Sequence, residues 1–308
     1  MDGLQFVLRT GGVSSMGVGE IGDVLSSILF LDLITYEFLK NRLWIHQKEL
    51  LTVFQALGQL DVAIAVASWR KSVDFYTVPK LSFDGEAALD MREMTHPLLE
   101  GAVPNDLEMG SSILLTGSNA SGKSTYLRTA LINVLLAQSL CTALADQYRG
   151  SAFYLYSSMA LEDDLLAGES YYVTEIKSIR RILEAAKEKR PILCAVDEVL
   201  RGTNTVERIA ASSTILETLF ESGVLCLAAT HDGELCSILN GKCRLFHFQE
   251  EVEDGQMVFD YRIYPGPAHS RNAIKLLELM GFDQELVLKS ERRAQGYIDT
   301  GNWQHSNA

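Results

Sequence analysis

Residues 117–125 read Gly117-Ser118-Asn119-Ala120-Ser121-Gly122-Lys123-Ser124-Thr125: a glycine, four free positions, then Gly-Lys-Ser. The run before it, Ile113-Leu114-Leu115, is apolar. The run after it, Tyr126 to Ala137, carries apolar residues at helix spacing among good helix formers. A short glycine-rich pattern can arise by chance in a turn, but flanked by a strand and a helix it predicts a phosphate-binding loop. The glycines let backbone N–H groups turn inward around phosphate oxygens, and the helix N-terminus adds partial positive charge at the same point. In that arrangement Lys123 reaches the β and γ phosphates of a nucleotide and the Ser124 hydroxyl coordinates Mg²⁺.

A second run carries the complementary chemistry. Pro191 to Glu198 reads as a buried strand ending in two acids, Asp197 and Glu198. Strands of a parallel sheet open at their C-terminal ends onto the ligand crevice, which brings Asp197 toward the Mg²⁺ held by Ser124. Glu198, one residue on, is placed to activate the water that attacks the γ phosphate. Two solvated acids on a loop are the bland alternative, and the phosphate loop in the same chain weighs against it. Ala228-Ala-Thr-His231 closes the next predicted strand. A histidine there can hydrogen-bond the γ phosphate and couple its loss to movement of the following loop.

Composition narrows the setting. The net charge is −13 over 308 residues, and an acidic surface is poor material for gripping a phosphate backbone, which needs Lys and Arg. Five cysteines, with no C-x-x-C pair and three inside apolar runs, read as free thiols in a reducing compartment. The N-terminus lacks the basic region and apolar block of a secretory signal. The apolar stretch Ile21 to Leu39 is interrupted by Asp23, Asp32 and Glu37, so its charge-free pieces are too short to span a bilayer. A cytoplasmic protein with no membrane span is the expectation.

Along the chain, a helical pattern from Ile21 to Arg70 includes Leu50, Phe54, Leu57, Leu60 and Ile64 at steps of three and four. These are helices either of a separate arm or of a shared core. We place the boundary at residue 72, giving a helical arm over 1–72 and a second domain over 73–308. Strands are predicted at 73–78, 88–94, 111–116, 152–157, 191–196 and 224–229, and helices at 123–139, 173–189 and 205–222. That alternation argues for an α/β domain with a largely parallel sheet. Arg244–Gln249 and Gln256–Tyr264 read as a hairpin. Two short helical patterns divided by Gly281-Phe282-Asp283 form the tail.

The order of these motifs resembles the ATPase domain of MutS-type mismatch-repair proteins, a branch of the ABC ATPases. The matching text is His96-Pro-Leu-Leu-Glu100, Pro104-Asn105-Asp106, Thr116 through Arg128, Asp163-Asp164-Leu165, Gly168-Glu-Ser170 through Glu175, Asp197 through Thr205, and Ala229-Thr-His231. It covers about Thr95 to Ala294 and, more weakly, the arm. The resemblance implies a phosphate-loop ABC-type ATPase domain with a mixed, largely parallel sheet, preceded by a helical arm and followed by a helix-turn-helix tail that joins two subunits. It implies ATP and Mg²⁺ held by residues 117–125 and Asp197, with Glu198 activating water and His231 as the switch. It also implies a homodimer in which Ser170 reaches the γ phosphate bound to the other subunit and Asn204 lies near the seam. Tyr261 falls where the family sets a ring against adenine.

The sequence departs from the family pattern in three places. Ser157-Ser-Met-Ala160 stands where an arginine is usual before Asp163-Asp164. Tyr171-Tyr172 replaces Thr-Phe after Ser170. No mismatch-reading domain precedes the arm, so the expectation is the ATPase portion of a longer protein, with any contact to mismatched or branched DNA made by parts outside this chain. Three rivals remain open here: a diverged relative whose ATPase drives a protein or membrane partner, a small-molecule kinase, and a nucleotide-binding scaffold without turnover.

Overall fold

The computed structural model describes residues 30–118, 120–159, 171–201, 203–253, 256–268 and 273–300. The chain divides into two compact units, which part between Val73 and Asp74. In the first, helix α1 (Leu31–Ile45) and helix α2 (Gln47–Ser72) are separated at His46, whose φ of −105° and ψ of 20° leave the helical region. Leu50, Phe54, Leu57, Leu60 and Ile64 lie on α2 as expected, but all are exposed, and α2 has no buried residue. Between residues 50 and 69 the only charge is Asp61. By length and composition α2 is therefore apolar enough to cross a membrane, a property that the charge-interrupted stretch from Ile21 to Leu39 does not share.

The second unit is a mixed α/β structure with two sheets. The smaller sheet holds β1 (Lys80–Ser82), β2 (Leu89–Met94), β3 (Asn105–Met109) and β5 (Gln147–Ser151) in the order β1-β5-β2-β3, with β1 parallel to β5 and the remaining pairs antiparallel. The larger sheet begins with β4 (Ile113–Thr116) and continues with β6 (Tyr154–Ser158), β7 (Ile192–Asp197), β8 (Leu225–Ala229), β9 (Arg244–Glu253) and β10 (Gln256–Pro265), ordered β10-β9-β4-β8-β7-β6. All its neighbours run parallel except the edge strand β10. Helix α3 (Lys123–Leu140) follows β4, α4 (Tyr171–Ala185) follows β6, α5 (Thr205–Glu221) follows β7, and the short α6 (Gly233–Ile238) follows β8. Helices α7 (Ala273–Leu279) and α8 (Gln284–Thr300) close the described chain.

Continuous apolar runs are buried on both faces because helices or the second sheet cover each side. Ile113 and Leu115 of β4, with Leu193, Ala195 and Leu227, face a core shared by α3 and the smaller sheet. Leu114, Cys194, Val196, Cys226 and Ala228 face the opposite core, under α4, α5 and α6. Each large aliphatic side chain buried this way contributes about 1.5–3 kcal/mol. Cys194, Cys226 and Cys236 are buried and all five cysteines are free.

Several elements differ from expectation, among them the short helix α6, where no helix is predicted. Residues 73–78 form no strand: Thr77 makes an isolated bridge to Ala143, and the strand β1 starts only after Pro79, which has no N–H to offer a ladder. Strands β3 and β5 were not expected. Asn105-Asp-Leu-Glu-Met109 and Gln147-Tyr-Arg-Gly-Ser151 are polar because each turns one face to solvent and buries only two residues, Leu107 with Met109 and Tyr148 with Ser151.

Candidate functional site

The loop between β4 and α3 is shaped by its glycines. Gly117 has φ 145°, and a Cβ there would stand 2.9 Å from Ser121 Oγ and 3.0 Å from the carbonyl oxygen of Phe248. Gly122 has φ 105° as the residue entering α3, and its place for a Cβ is 3.3 Å from the Tyr261 ring. Ala120 is also left-handed, at φ 68°. Lys123 folds back over the loop, donating from Nζ to the carbonyls of Gly117 at 2.8 Å and Ser118 at 2.7 Å. Ser118 Oγ donates to Glu250 of β9. The Lys123 side chain is buried, and burial pushes its ammonium below the ordinary lysine range. Glu198, Asp197 and Glu250 pull it back in part, and Arg201 adds to the lowering.

At the C-terminal end of β7, Asp197 carries a buried Oδ1 with no hydrogen-bond partner among the described residues. An orphaned carboxylate oxygen is unfavourable unless a cation or water completes it. With the Ser124 hydroxyl, this is the hard oxygen donor set that suits Mg²⁺, so these residues fit the metal. Glu198 follows with φ 53°, its N–H donating to Ala229 O at 2.9 Å. One carboxylate oxygen, Oε1, lies 3.3 Å from His231 Nδ1, and the other, Oε2, lies 2.9 Å from Arg201 Nε. The next residue after His231, Asp232, is clamped in a two-point pair by Arg208 of α5, at 2.9 and 2.7 Å.

These elements border one cavity of about 580 Å³, whose lining includes Lys123, Ser124, Thr125, Glu198 and Tyr261. That volume is in the range of small-molecule sites. His96 also faces it, and burial, with Arg128 adding, holds its imidazole below the ordinary range, so it is neutral at neutral pH. Tyr261 stands at φ 55° on β10, with its ring stacked near Phe259 at 5.9 Å between centroids.

The structure thus brings Lys123, Ser124, Thr125, Glu198 and Tyr261 to one cavity, with Asp197 and His231 beside Glu198. Asn204 lies at the start of α5, where its side chain accepts from Glu207 N–H at 3.0 Å and caps its own helix. Asn119 and Ser170 lie outside the described residues. Four partners carried no expectation from sequence: Glu250 on Ser118, Arg201 on Glu198, Arg208 on Asp232, and Glu175, whose carboxylate accepts from Leu200 N–H. Arg201 and Glu175 stand inside the stretches Asp197 to Thr205 and Gly168 to Glu175 that carry the family resemblance, and that is the signal that marks them. Nothing in the text around Glu250 marks it.

Residues 113–297 match the sequence family described as MutS domain V. The chain is similar to the DNA mismatch repair protein MutS of Thermus thermophilus, with 34% identity over 236 residues, 75% of this chain and 28% of that protein. It is similar to the DNA mismatch repair protein MutS of Thermus aquaticus, with 32% identity over 244 residues, 78% of this chain and 29% of that protein. A third relative, DNA mismatch repair protein MutS 2 of Haloarcula marismortui, is 30% identical over 265 residues, 76% of this chain and 27% of that protein. The chain spans a little over a quarter of the length of these relatives.

Proposed function

Because the chain belongs to the MutS family, we propose that it binds ATP with Mg²⁺ in the cavity above α3 and hydrolyses it to ADP and phosphate. The observation that carries this is the meeting of Lys123, Ser124, Glu198 and Tyr261, from three separated stretches of chain, around one cavity. Residues 117–122 wrap the phosphates with backbone N–H groups, and Lys123 exchanges its two loop carbonyls for β and γ oxygens. Ser124 and Asp197 hold Mg²⁺, which when bound neutralises charge on the phosphates. Glu198 takes a proton from water as the water oxygen bonds to the γ phosphorus and the bond from that phosphorus to the bridging oxygen breaks. His231, paired with Glu198, senses the γ phosphate. Tyr261 stacks on the base.

Two copies clasping two ATP molecules, with Ser170 and the Asn204 region completing the neighbour's site, would make closure and opening a mechanical cycle. The cycle serves mismatch repair or the handling of DNA structures, as the names of the relatives suggest. A second reading, in which the ATPase drives a protein or membrane partner, is favoured by two observations: the net charge of −13 and the unburied apolar length of α2.

Phosphate release and binding of a fluorescent ATP analogue, each with and without Mg²⁺, test the activity. Lys123→Ala is expected to abolish binding, and a wild-type chain that binds no nucleotide would sink the activity altogether. Light scattering with a nonhydrolysable analogue tests the dimer, with monomers at saturation counting against it. Binding to duplex, mismatched and branched DNA across a salt series separates the two roles. Absence of salt-dependent binding to any of them turns the choice toward the partner-driving role.

A further inference from the structure

The hairpin of β9 and β10 is irregular at one place. Its register runs from Gln256 opposite Glu253 to Phe259 opposite Glu250, then resumes with Ile263 opposite Phe248. Asp260, Tyr261 and Arg262 therefore stand together opposite the single residue Gln249. The middle one, Tyr261, is held in the left-handed region at φ 55°, which a ring-bearing residue rarely adopts and keeps only where its surroundings over-determine it.

On one flank Asp260 closes the bulge, accepting from Arg262 N–H at 3.0 Å and from the Tyr264 hydroxyl at 2.6 Å. On the other flank the bonds come from the other sheet. Asn105, the first residue of β3, donates from Nδ2 to Tyr261 O at 2.8 Å and accepts at Oδ1 from Ile263 N–H at 2.9 Å. Its Nδ2 also lies 3.2 Å from Val103 O. The amide thus supplies the donor and the acceptor that the interrupted ladder lacks on both sides of Tyr261. Strand β3 is itself tied to the phosphate-loop helix, since the Tyr126 hydroxyl of α3 donates to Asp106 O at 2.7 Å. Asn105 and Tyr261 both line the cavity.

We propose that Asn105 is a positioning residue for base recognition, fixing the strained bulge so that the Tyr261 ring forms the stacking wall of the nucleotide cavity. The assignment rests on the cavity taking ATP. Only a carboxamide answers the geometry: a carboxylate of the same shape keeps the acceptor for Ile263 but turns negative charge toward the carbonyls of Val103 and Tyr261.

The test compares ATP with inorganic tripolyphosphate, which presents the phosphates without a base, in wild type, Asn105→Asp, Tyr261→Ala and the double variant. Asn105→Asp is expected to weaken ATP binding about tenfold, the size of one lost base–aromatic stack, and to leave tripolyphosphate binding unchanged. The double variant is expected to bind ATP no more weakly than Tyr261→Ala alone, because Asn105 acts through the ring. Should the aspartate fail to fold, Asn105→Ser is measured in the same way, with the same base-selective loss expected. Equal losses for ATP and tripolyphosphate, no loss for either, or additive losses in the double variant would each overturn the assignment while leaving the nucleotide site standing. A wild-type chain that binds neither probe overturns the nucleotide site and this assignment together.

Discussion

Arg201 Nε lies 2.9 Å from Glu198 Oε2, so the acid at the end of β7 is held by a cation three residues further along the same turn. His231 approaches its other oxygen. Glu198 is mostly buried and Arg201 is more than half exposed, so the pair opens to solvent from the arginine side. Glu198→Gln keeps the shape of the side chain and removes the base. ATP binding is expected to persist while phosphate release falls at least ~100-fold; unimpaired release would remove Glu198 from that role. For Arg201→Ala the melting midpoint should fall modestly, by the equivalent of about 1 kcal/mol, because the arginine is open to solvent while the mostly buried Glu198 carboxylate loses its cation.

Asp197 offers a second separation of roles. Its orphaned Oδ1 has no hydrogen-bond partner to lose among the described residues, so Asp197→Asn is expected to fold as well as wild type. Titration with the analogue should show Mg²⁺ no longer tightening binding, with Mg²⁺-free binding preserved. A variant that responds to Mg²⁺ as wild type does would exclude Asp197 as a ligand.

Gly117→Ala probes the loop itself. The added methyl meets the Phe248 carbonyl, a backbone group of β9 that cannot swing aside, at a φ of 145° that alanine seldom adopts. We expect a loss of about 1–3 kcal/mol in chemical denaturation together with loss of nucleotide binding. An alanine variant with wild-type stability and affinity would mean the loop has room that its geometry denies.

Stability should fall on the alkaline side. Burial pushes the Cys243 thiol up to about 11, and pushes Cys236, Tyr126 and Tyr148 upward as well. A group whose folded value is raised keeps its proton where the unfolded chain has lost it. Its stabilisation is complete below the unfolded value, near 9 for a thiol, and is lost as pH rises through the folded one. Lys123, lowered by burial, runs the other way and offsets part of the fall. Urea denaturation at pH 8 and 10.5 checks the direction. Cys243→Val should lose less than wild type over that interval, by about 1 kcal/mol because the half-buried thiol is partly screened by solvent, and an equal loss would exclude Cys243 as a contributor.

The central strands were legible because burial on both faces demands unbroken apolar text. Ile113–Thr116, Ile192–Asp197 and Leu225–Ala229 each supply it and lead at their C-terminal ends into residues with chemistry. The smaller sheet was not legible. In β3 and β5 polar residues outnumber the anchors, and what makes them strands is pairing with β2, a contact far away in sequence. The arm was legible as helix but not as surface: the spacing of Leu50, Phe54 and Leu57 is the same whether the stripe is covered or bare.

By itself, the sequence determined the turn at Gly117 to Gly122, the cation and hydroxyl that follow it, and two acids at a strand end, because local backbone rules and residue chemistry act over a few neighbours. Only the tertiary structure decided that Glu250 meets Ser118, that His231 meets Glu198, and that Asn105 fastens the bulge bearing Tyr261. Those contacts join residues from different strands and loops, and the hydrogen-bonding needs of each are met by partners that only the packing of the two sheets and α3 brings within reach.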